Sequence, residues 1–257
     1  MFHRITATED LGAISAGSQP KRFVKGDDCR KYVAKWPYDA AGASHGGICS
    51  KELFNELCAS ILAERVGVPV PEFALLTVPE GLVASIAGLC FGSLYMDNYE
   101  ALPDGSHIAS AIEEYDGATV YLLFAFDELL RNPDRKPGDI LTMARGGRPR
   151  RFLAIDHGNA FTGSHWDSAH LLRSSQGNAT DDSRWVFRGL NDKSLAAVAA
   201  DRIVHAAADV REAVNEAAAA SGLADVDRAS AHAFLEIRRD AMVSLTLAAV
   251  AKAAETI

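Results

Sequence analysis

Three carboxylates flank one predicted β-hairpin in the middle of the chain. Asp134 and Asp139 lie five positions apart in the polar loop NPDRKPGD, and Asp156 ends the returning strand in AIDHGNAF. Phosphoryl transfer from ATP needs such a cluster, because one carboxylate orients the attacking hydroxyl group while others bind magnesium against the phosphates. The alternative interpretation of the loop alone is a surface turn rich in Asp, Pro and Gly.

A lysine on a predicted strand is the second element of this chemistry. Lys35 lies in the apolar-flanked segment YVAKW. A lysine that points inward from such a strand can reach the α- and β-phosphates of ATP, and a glutamate from the next helix usually fixes it. Glu52 and Glu56 both lie on that predicted helix, and we favour Glu56 in FNEL as the partner. Taken by itself, Lys35 is also compatible with a solvated strand position.

The elements that must position these residues change in type along the chain. Up to about residue 96, strand patterns surround one helix at 48–65, which ends at Gly67. The predicted strands are residues 22–24 and 32–36, paired around the turn KGDD, and residues 73–78 and 82–86, separated by the turn PEG.

The remainder of the chain is predicted to be mostly helical. Residues 120–130 are apolar almost all round, which indicates a buried helix. The other predicted elements are short strands at 140–143 and 152–155 and alanine-rich helical stretches at 194–219 and 228–255. We therefore predict an α+β fold with a small strand-rich N-lobe at about 1–100 and a larger helical C-lobe at about 101–257.

Six segments, in this order and at this spacing, resemble the HipA-like kinase family, which is related to the phosphatidylinositol 3- and 4-kinases and distantly to protein kinases. They cover much of residues 12–166. The segments are GSQPKRFV at 17–24, YVAKW at 32–36, FNELCASILAERVGVPVPEFALL at 54–76, GLCFGSLY at 88–95, FDELLRNPDR at 126–135 and AIDHGNAF at 154–161.

This resemblance implies a single kinase domain over 1–257 with a bilobal protein-kinase-like fold. It assigns Lys35 to the ATP phosphates, Asp134 to catalysis and Asp156 to magnesium. The family pattern has an Asn as a further metal ligand where this chain has Asp139, and many relatives have a His where it has Lys136.

The resemblance also directs attention to the N-terminal loop. Some members of the family modify themselves there, and Ser15 and Ser18 lie in the equivalent stretch. Ser18 is also a candidate contact for the nucleotide. Ordinary loop residues are the alternative interpretation of both serines.

The resemblance leads us to expect an ATP- and Mg2+-dependent kinase that modifies a serine or threonine of a protein, including possible self-modification. A small-molecule or lipid-headgroup kinase is the first alternative. A nucleotide-binding pseudokinase that acts as an interaction module is the second, and the residues at 136 and 139 motivate it. An antitoxin-type partner is compatible with the resemblance but has no sequence feature of its own.

Net charge, hydropathy and missing motifs argue against several other classes of protein. The 257 residues carry a formal net charge of −8, which argues against direct binding of nucleic acid. The first residues lack a secretory signal, and no apolar run is long enough to cross a bilayer, so we expect a cytoplasmic protein without a membrane partner. The four cysteines include no CxxC pair, and GxxxxGK[ST] is absent, which disfavours zinc knuckles and P-loop enzymes.

Overall fold

Five strands form a closed barrel in the order β1-β2-β3-β5-β4 in the computed structural model. The structure describes residues 3–14, 21–36, 51–83, 86–108, 116–143, 151–163, 165–178 and 186–254. The barrel strands are β1 (His3–Ile14), β2 (Lys21–Gly26), β3 (Lys31–Lys35), β4 (Phe73–Val83) and β5 (Ile86–Leu94). β1 pairs with β4 in parallel, and the other neighbouring strands pair antiparallel.

The alternation of side chains along β3 determines which way its lysine points. Tyr32, Ala34 and Trp36 belong to the apolar core of the barrel. Because successive side chains of a strand point to opposite faces, Val33 and Lys35 lie on the other face. On that face, Lys35 contacts Glu56 of helix α1 (Lys51–Val66), which follows β3 in the chain.

The second part of the fold consists of helices around a small sheet. This sheet has the order β6-β7-β8, and its last two strands form a hairpin. Its strands are β6 (Glu100–Ala101), β7 (Ile140–Met143) and β8 (Arg151–Ala154), and the helices are α2 (Gly117–Leu130), α3 (Ser168–Ser174), α4 (Lys193–Ala206), α5 (Val210–Ser221), α6 (Asp225–Asp240) and α7 (Met242–Ala254).

The mixed α+β class predicted from the sequence is confirmed, and so is the buried helix. Every residue of α2 from Val120 to Leu130 is buried, as its apolar composition indicates. Among the described residues, no helix combines the length and the apolarity needed to span a bilayer.

Both predicted alanine-rich stretches are helical, but each is divided into two helices, and one predicted turn is wrong. The stretch 194–219 is two helices, because Asp209 caps α5 by accepting a hydrogen bond from the backbone N–H of Glu212 at 3.1 Å. The stretch 228–255 is also divided, at Ala241. The turn PEG lies inside the irregular strand β4, where Gly81 has a φ of +82°.

Strand β1 was not predicted, and its sequence explains why. HRITATEDLGAI is mostly exposed, so it lacks the regular apolar alternation of a half-buried strand. It pairs in parallel with β4, where His3 lies opposite Ala74, 71 positions later in the chain. Pairing over such a distance leaves no mark in a local pattern.

Candidate active site

A cavity of about 250 Å³ opens between the barrel and the small sheet. Its walls are apolar where β2, β3 and β5 face β7, and polar at the end near α1. The apolar lining includes Phe23, Val33, Phe91, Leu141 and Ile155. The polar lining includes Lys21, Lys35, Glu56, Asp139 and Asp156.

Lys35 is the centre of the polar end. Its Nζ lies 2.7 Å from Glu56 Oε1 and 3.1 Å from Asp156 Oδ1, and only 8% of its side chain is exposed. Burial favours the neutral amine, but the charges of Asp156 and Glu56 outweigh it and raise the pKa of Lys35. Lys35 is therefore a permanently charged ammonium group at the wall of the cavity.

Asp156 binds two lysines at once. Its Oδ1 contacts Lys35, and its Oδ2 accepts a hydrogen bond from Lys21 Nζ at 3.0 Å. Although burial opposes ionisation, the charges of Lys35 and Lys21 lower the pKa of the Asp156 carboxyl well below its usual value. Asp156 is thus a carboxylate at any physiological pH.

The backbone at Asp156 adopts an uncommon conformation. Its φ is +62°, in the left-handed region that non-glycine residues rarely occupy. The next residue, His157, is buried, and its backbone N–H donates to Glu56 Oε2 at 3.0 Å. Burial, together with the nearby charges of Arg135 and Lys35, lowers the pKa of the His157 imidazole, which is therefore neutral. Glu56 thus connects Lys35 with the turn that contains Asp156.

Asp139 ends a 3-10 turn, Pro137–Asp139, directly before β7. Its Oδ2 accepts a hydrogen bond from the backbone N–H of Lys136 at 3.0 Å. Burial raises the pKa of Asp139 to about 6; Arg135 opposes this rise, and repulsion by Asp156 adds to it. Asp139 and Asp156 are therefore two carboxylates that repel each other at one end of the cavity.

Asp134 lies at the outer side of this arrangement. Its Oδ2 accepts hydrogen bonds from Lys136 Nζ at 2.8 Å and from Asn159 Nδ2 at 3.0 Å. Its side chain is 40% exposed and is not part of the cavity wall. An acceptor group arriving from solvent can therefore reach this carboxylate directly.

A buried ion pair fixes the loop that carries Asp134 and Asp139. Arg135 Nε and Nη2 bind the two oxygens of Asp127 on α2 at 2.8 and 2.9 Å. Arg135 Nη1 also donates to the carbonyl of Ile155 at 2.5 Å. The guanidinium, which is fully buried, thus connects the end of α2, the loop and the residue before Asp156. Such a bidentate pair is geometrically specific.

The structure brings together most of the residues singled out in the sequence. Lys35, Glu56, Asp139 and Asp156 line one cavity, and Asp134 is connected to the same region through Asn159. Their chemical roles stay predictions. Ser15 and Ser18 lie outside the described residues.

The two glutamates of α1 have different surroundings. Glu56 contacts Lys35, whereas Glu52 packs one turn earlier against Gly158. A Cβ atom added to Gly158 would lie 3.0 Å from Glu52 Cγ, so this close approach of helix and loop favours glycine.

Sequence reasoning missed Lys21, Asn55 and Asn159. Pairing the predicted strands evenly around the turn KGDD would put Tyr32 opposite Lys21, whereas the structure pairs Lys21 with Lys35 because the connection runs from Lys25 to Lys31. Asn55 and Asn159 also have no local signal, since their partners are distant in the chain.

The carboxylates of the cavity suit a magnesium ion. Magnesium is usually held by one or two carboxylates together with substrate phosphates and water. Asp139 and Asp156 supply two such groups, and their mutual repulsion would be relieved by a cation. In the described part of the chain, no group of three or more His, Cys, Asp or Glu side chains forms a metal site.

The comparisons with known proteins match a kinase family and kinase structures. A family model described as HipA-like kinase matches residues 12–209. The crystal structure of the proinflammatory kinase CtkA of Helicobacter pylori superposes with a TM-score of 0.65 at 13% identity, covering 98% of this chain and 99% of that one. The Golgi casein kinase superposes with a TM-score of 0.50 at 10% identity, covering 96% and 73%. At these identities, the structural matches show a similarity of fold. A search of curated proteins found no match.

Proposed function

Because the chain belongs to the HipA-like kinase family, we propose that it transfers the γ-phosphate of ATP to a serine or threonine hydroxyl group of a protein, using Mg2+. The observation that carries the proposal is the contact of Lys35 with both Glu56 and Asp156 at the polar end of the cavity. This arrangement resembles the lysine–glutamate pair and the metal-binding aspartate that protein kinases use.

The proposal includes a bilobal arrangement of one kinase domain. The barrel and α1 would form the small N-lobe, and the small sheet with the remaining helices would form the larger C-lobe. Its support is that residues of both parts line the cavity, for example Val33 and Leu141. In this arrangement, the apolar walls accept the adenine ring and the polar end accepts the phosphates.

The proposed roles of the charged residues rest on their positions. Lys35 and Lys21, which both contact Asp156, would present two ammonium groups to the phosphates. Asp139 and Asp156 would hold the magnesium ion. When bound, this ion supplies positive charge that offsets the phosphate oxygens in the transition state.

Asp134 is the proposed catalytic base. Its exposed carboxylate accepts a hydrogen bond from the acceptor hydroxyl and takes its proton. The hydroxyl oxygen then forms a bond to the γ-phosphorus, and the bond from that phosphorus to the bridging oxygen of ADP breaks. Asn159 keeps the carboxylate oriented during this step.

Two alternatives remain distinct from this proposal. A small-molecule or lipid-headgroup kinase would use the same Asp134. A pseudokinase is favoured by one observation, because Lys136 neutralises Asp134 through an ion pair at 2.8 Å. In that case, the protein would bind nucleotide without transferring phosphate.

Incubation with γ-labelled ATP and magnesium separates these functions. The protein, its Asp134→Asn variant and its Lys35→Met variant are incubated with a protein acceptor mixture and, separately, with small hydroxyl compounds and lipid vesicles. Label on protein that depends on Asp134 supports the proposal, and label on a small molecule or lipid supports the first alternative.

A thermal-shift titration with ATP and magnesium completes the test. A ligand that binds only the folded state stabilises it by about 2.7 kcal/mol at a hundredfold excess over Kd. Stabilisation without transfer identifies a pseudokinase. A protein with neither transfer nor stabilisation at millimolar nucleotide overturns the proposed function.

A further inference from the structure

Asn55 on α1 makes an unusual number of contacts with one turn of the chain. Its Nδ2 donates to the carbonyl oxygens of Gly158 at 2.7 Å, Ala160 at 2.8 Å and Gly163 at 3.2 Å. Its Oδ1 accepts a hydrogen bond from Trp166 Nε1 at 3.1 Å. We name these five residues the Asn55 junction.

The side chain of Asn55 has no exposed surface. A buried amide that loses its partners pays a desolvation penalty, so such groups are retained where the partners are fixed. Both the donor and the acceptor end of this amide are occupied. The junction therefore specifies one position of α1 relative to the segment 156–163 and to Trp166.

That segment needs external support to keep its shape. Asp156, Phe161 and Thr162 have φ values of +62°, +59° and +76°. Non-glycine residues persist in this conformation only where the surroundings determine it. The three carbonyls that accept hydrogen bonds from Asn55 provide such surroundings, and the first of them, at Gly158, lies two positions after Asp156.

Asn55 is also next to Glu56 in the chain. Glu56 contacts Lys35 and the backbone N–H of His157, while Asn55 contacts the carbonyls that follow. Two consecutive residues of one helix thus bind the turn that begins at Asp156. A shift of α1 would move both the lysine–glutamate pair and this turn.

Trp166 also contacts Lys51, the first residue of α1. Lys51 Nζ lies 4.5 Å from the centre of the indole ring and 3.3 Å from Asp227 Oδ2 on α6, and it donates to the carbonyl of Trp166. Trp166, which donates its hydrogen bond to Asn55, is thereby connected through Lys51 to α6.

We infer that Asn55 is a positioning residue, which sets the location of Glu56 relative to Asp156 and thereby aligns the groups that act on ATP. The inference rests on the proposed function. A purely structural role would lower stability without acting through Glu56, so the two roles give different results in the following experiments.

The first experiment compares kcat and KM in Asn55→Leu, which has a similar size but no hydrogen-bonding group. Misplacement of reacting groups by about 1 Å can slow a reaction about 100-fold. We expect a loss of kcat of about that size, with a much smaller change in KM for MgATP. Trp166→Phe, which keeps most of the ring packing and removes only the Nε1–H donor, should give a smaller loss in the same direction.

A matched control separates alignment from stability. Phe124 on α2 is buried and packs on Phe187 with ring centres 5.0 Å apart, a contact that involves no residue of the junction. Phe124→Leu should lower the stability measured by urea unfolding but leave kcat unchanged. If Phe124→Leu and Asn55→Leu lose kcat in the same proportion to their losses of stability, the inference fails.

A double-mutant cycle tests whether Asn55 acts through Glu56. The kcat loss from Asn55→Leu should be much smaller in a Glu56→Gln background than in the wild type, because residues of one network are not additive. Effects that multiply independently would overturn the inference while leaving the kinase activity of the wild type established.

Hydrogen exchange gives a readout that does not need activity. The amide of His157 donates to Glu56, and its exchange should accelerate at least about tenfold in Asn55→Leu but not in Phe124→Leu. Unchanged exchange over residues 157–163 overturns the inference even if the wild-type protein transfers no phosphate. If the wild-type protein transfers no phosphate, that result contradicts only the proposed function.

Discussion

Lys21 and Lys35 lie directly opposite each other on β2 and β3, and their amines bind the two oxygens of one carboxylate, Asp156. Opposite residues of an antiparallel pair share one face, so the register of the barrel brings both charges to the polar end of the cavity. The phosphates of a bound nucleotide would therefore meet two ammonium groups.

Lys21→Met should weaken nucleotide binding. One hydrogen bond to a charged group contributes about 1.5 kcal/mol, so we expect KM for MgATP to rise about tenfold. Steady-state kinetics measure this change. Lys25→Met on the same strand, outside the cavity lining, is the control and should leave KM unchanged. An unaltered KM in Lys21→Met would remove Lys21 from the phosphate site.

Asp134→Asn should abolish most of the transfer but not the binding of ATP. The loss of a general base reduces rates by about 10²- to 10⁴-fold. The cavity wall does not include Asp134, so Kd for MgATP should change little. Labelled-phosphate transfer and equilibrium binding are measured on the same preparation. Full transfer activity in this variant would contradict the assignment of Asp134.

The stability of the metal-free protein should depend on the protonation of Asp139. Its pKa is raised from 3.8 to about 6, so the folded state binds this proton more tightly than the unfolded state. The stabilisation is present below pH 4 and is lost as the pH rises through 6. A shift of this size corresponds to at most about 3 kcal/mol.

Urea unfolding in EDTA tests this dependence. Between pH 4 and 7, the wild type should lose stability relative to Asp139→Asn, which carries no titrating group at this position. A difference between the two proteins that stays constant over this range would show that Asp139 titrates normally.

The magnesium requirement should distinguish two substitutions of Asp139. Asp139→Asn retains a neutral oxygen ligand, so it should keep substantial activity but need more free magnesium. Asp139→Ala removes the ligand and should lose most activity. Transfer rates are titrated against magnesium for both variants and the wild type. If the alanine variant equals the wild type at every concentration, Asp139 is not a metal ligand.

The sequence by itself determined the elements whose patterns are local. The apolar composition of 120–130 predicted the buried helix α2, and the apolar-flanked segment YVAKW predicted the strand that carries Lys35. The order and spacing of the motifs identified the family, because they preserve the loop that carries Asp134 and Asp139 and the turn at Asp156.

Only the tertiary structure decided which of these residues meet. Lys21 contacts Asp156 across 135 positions of the chain, and Asn55 contacts Gly158 across 103. Helix and strand periods record which face of an element is buried, whereas contacts over such distances depend on how the barrel closes through β1 and on how α1 packs against the turn. The acidic and basic residues of the site were therefore visible in the sequence, but the strand register and the buried amide that align them were not.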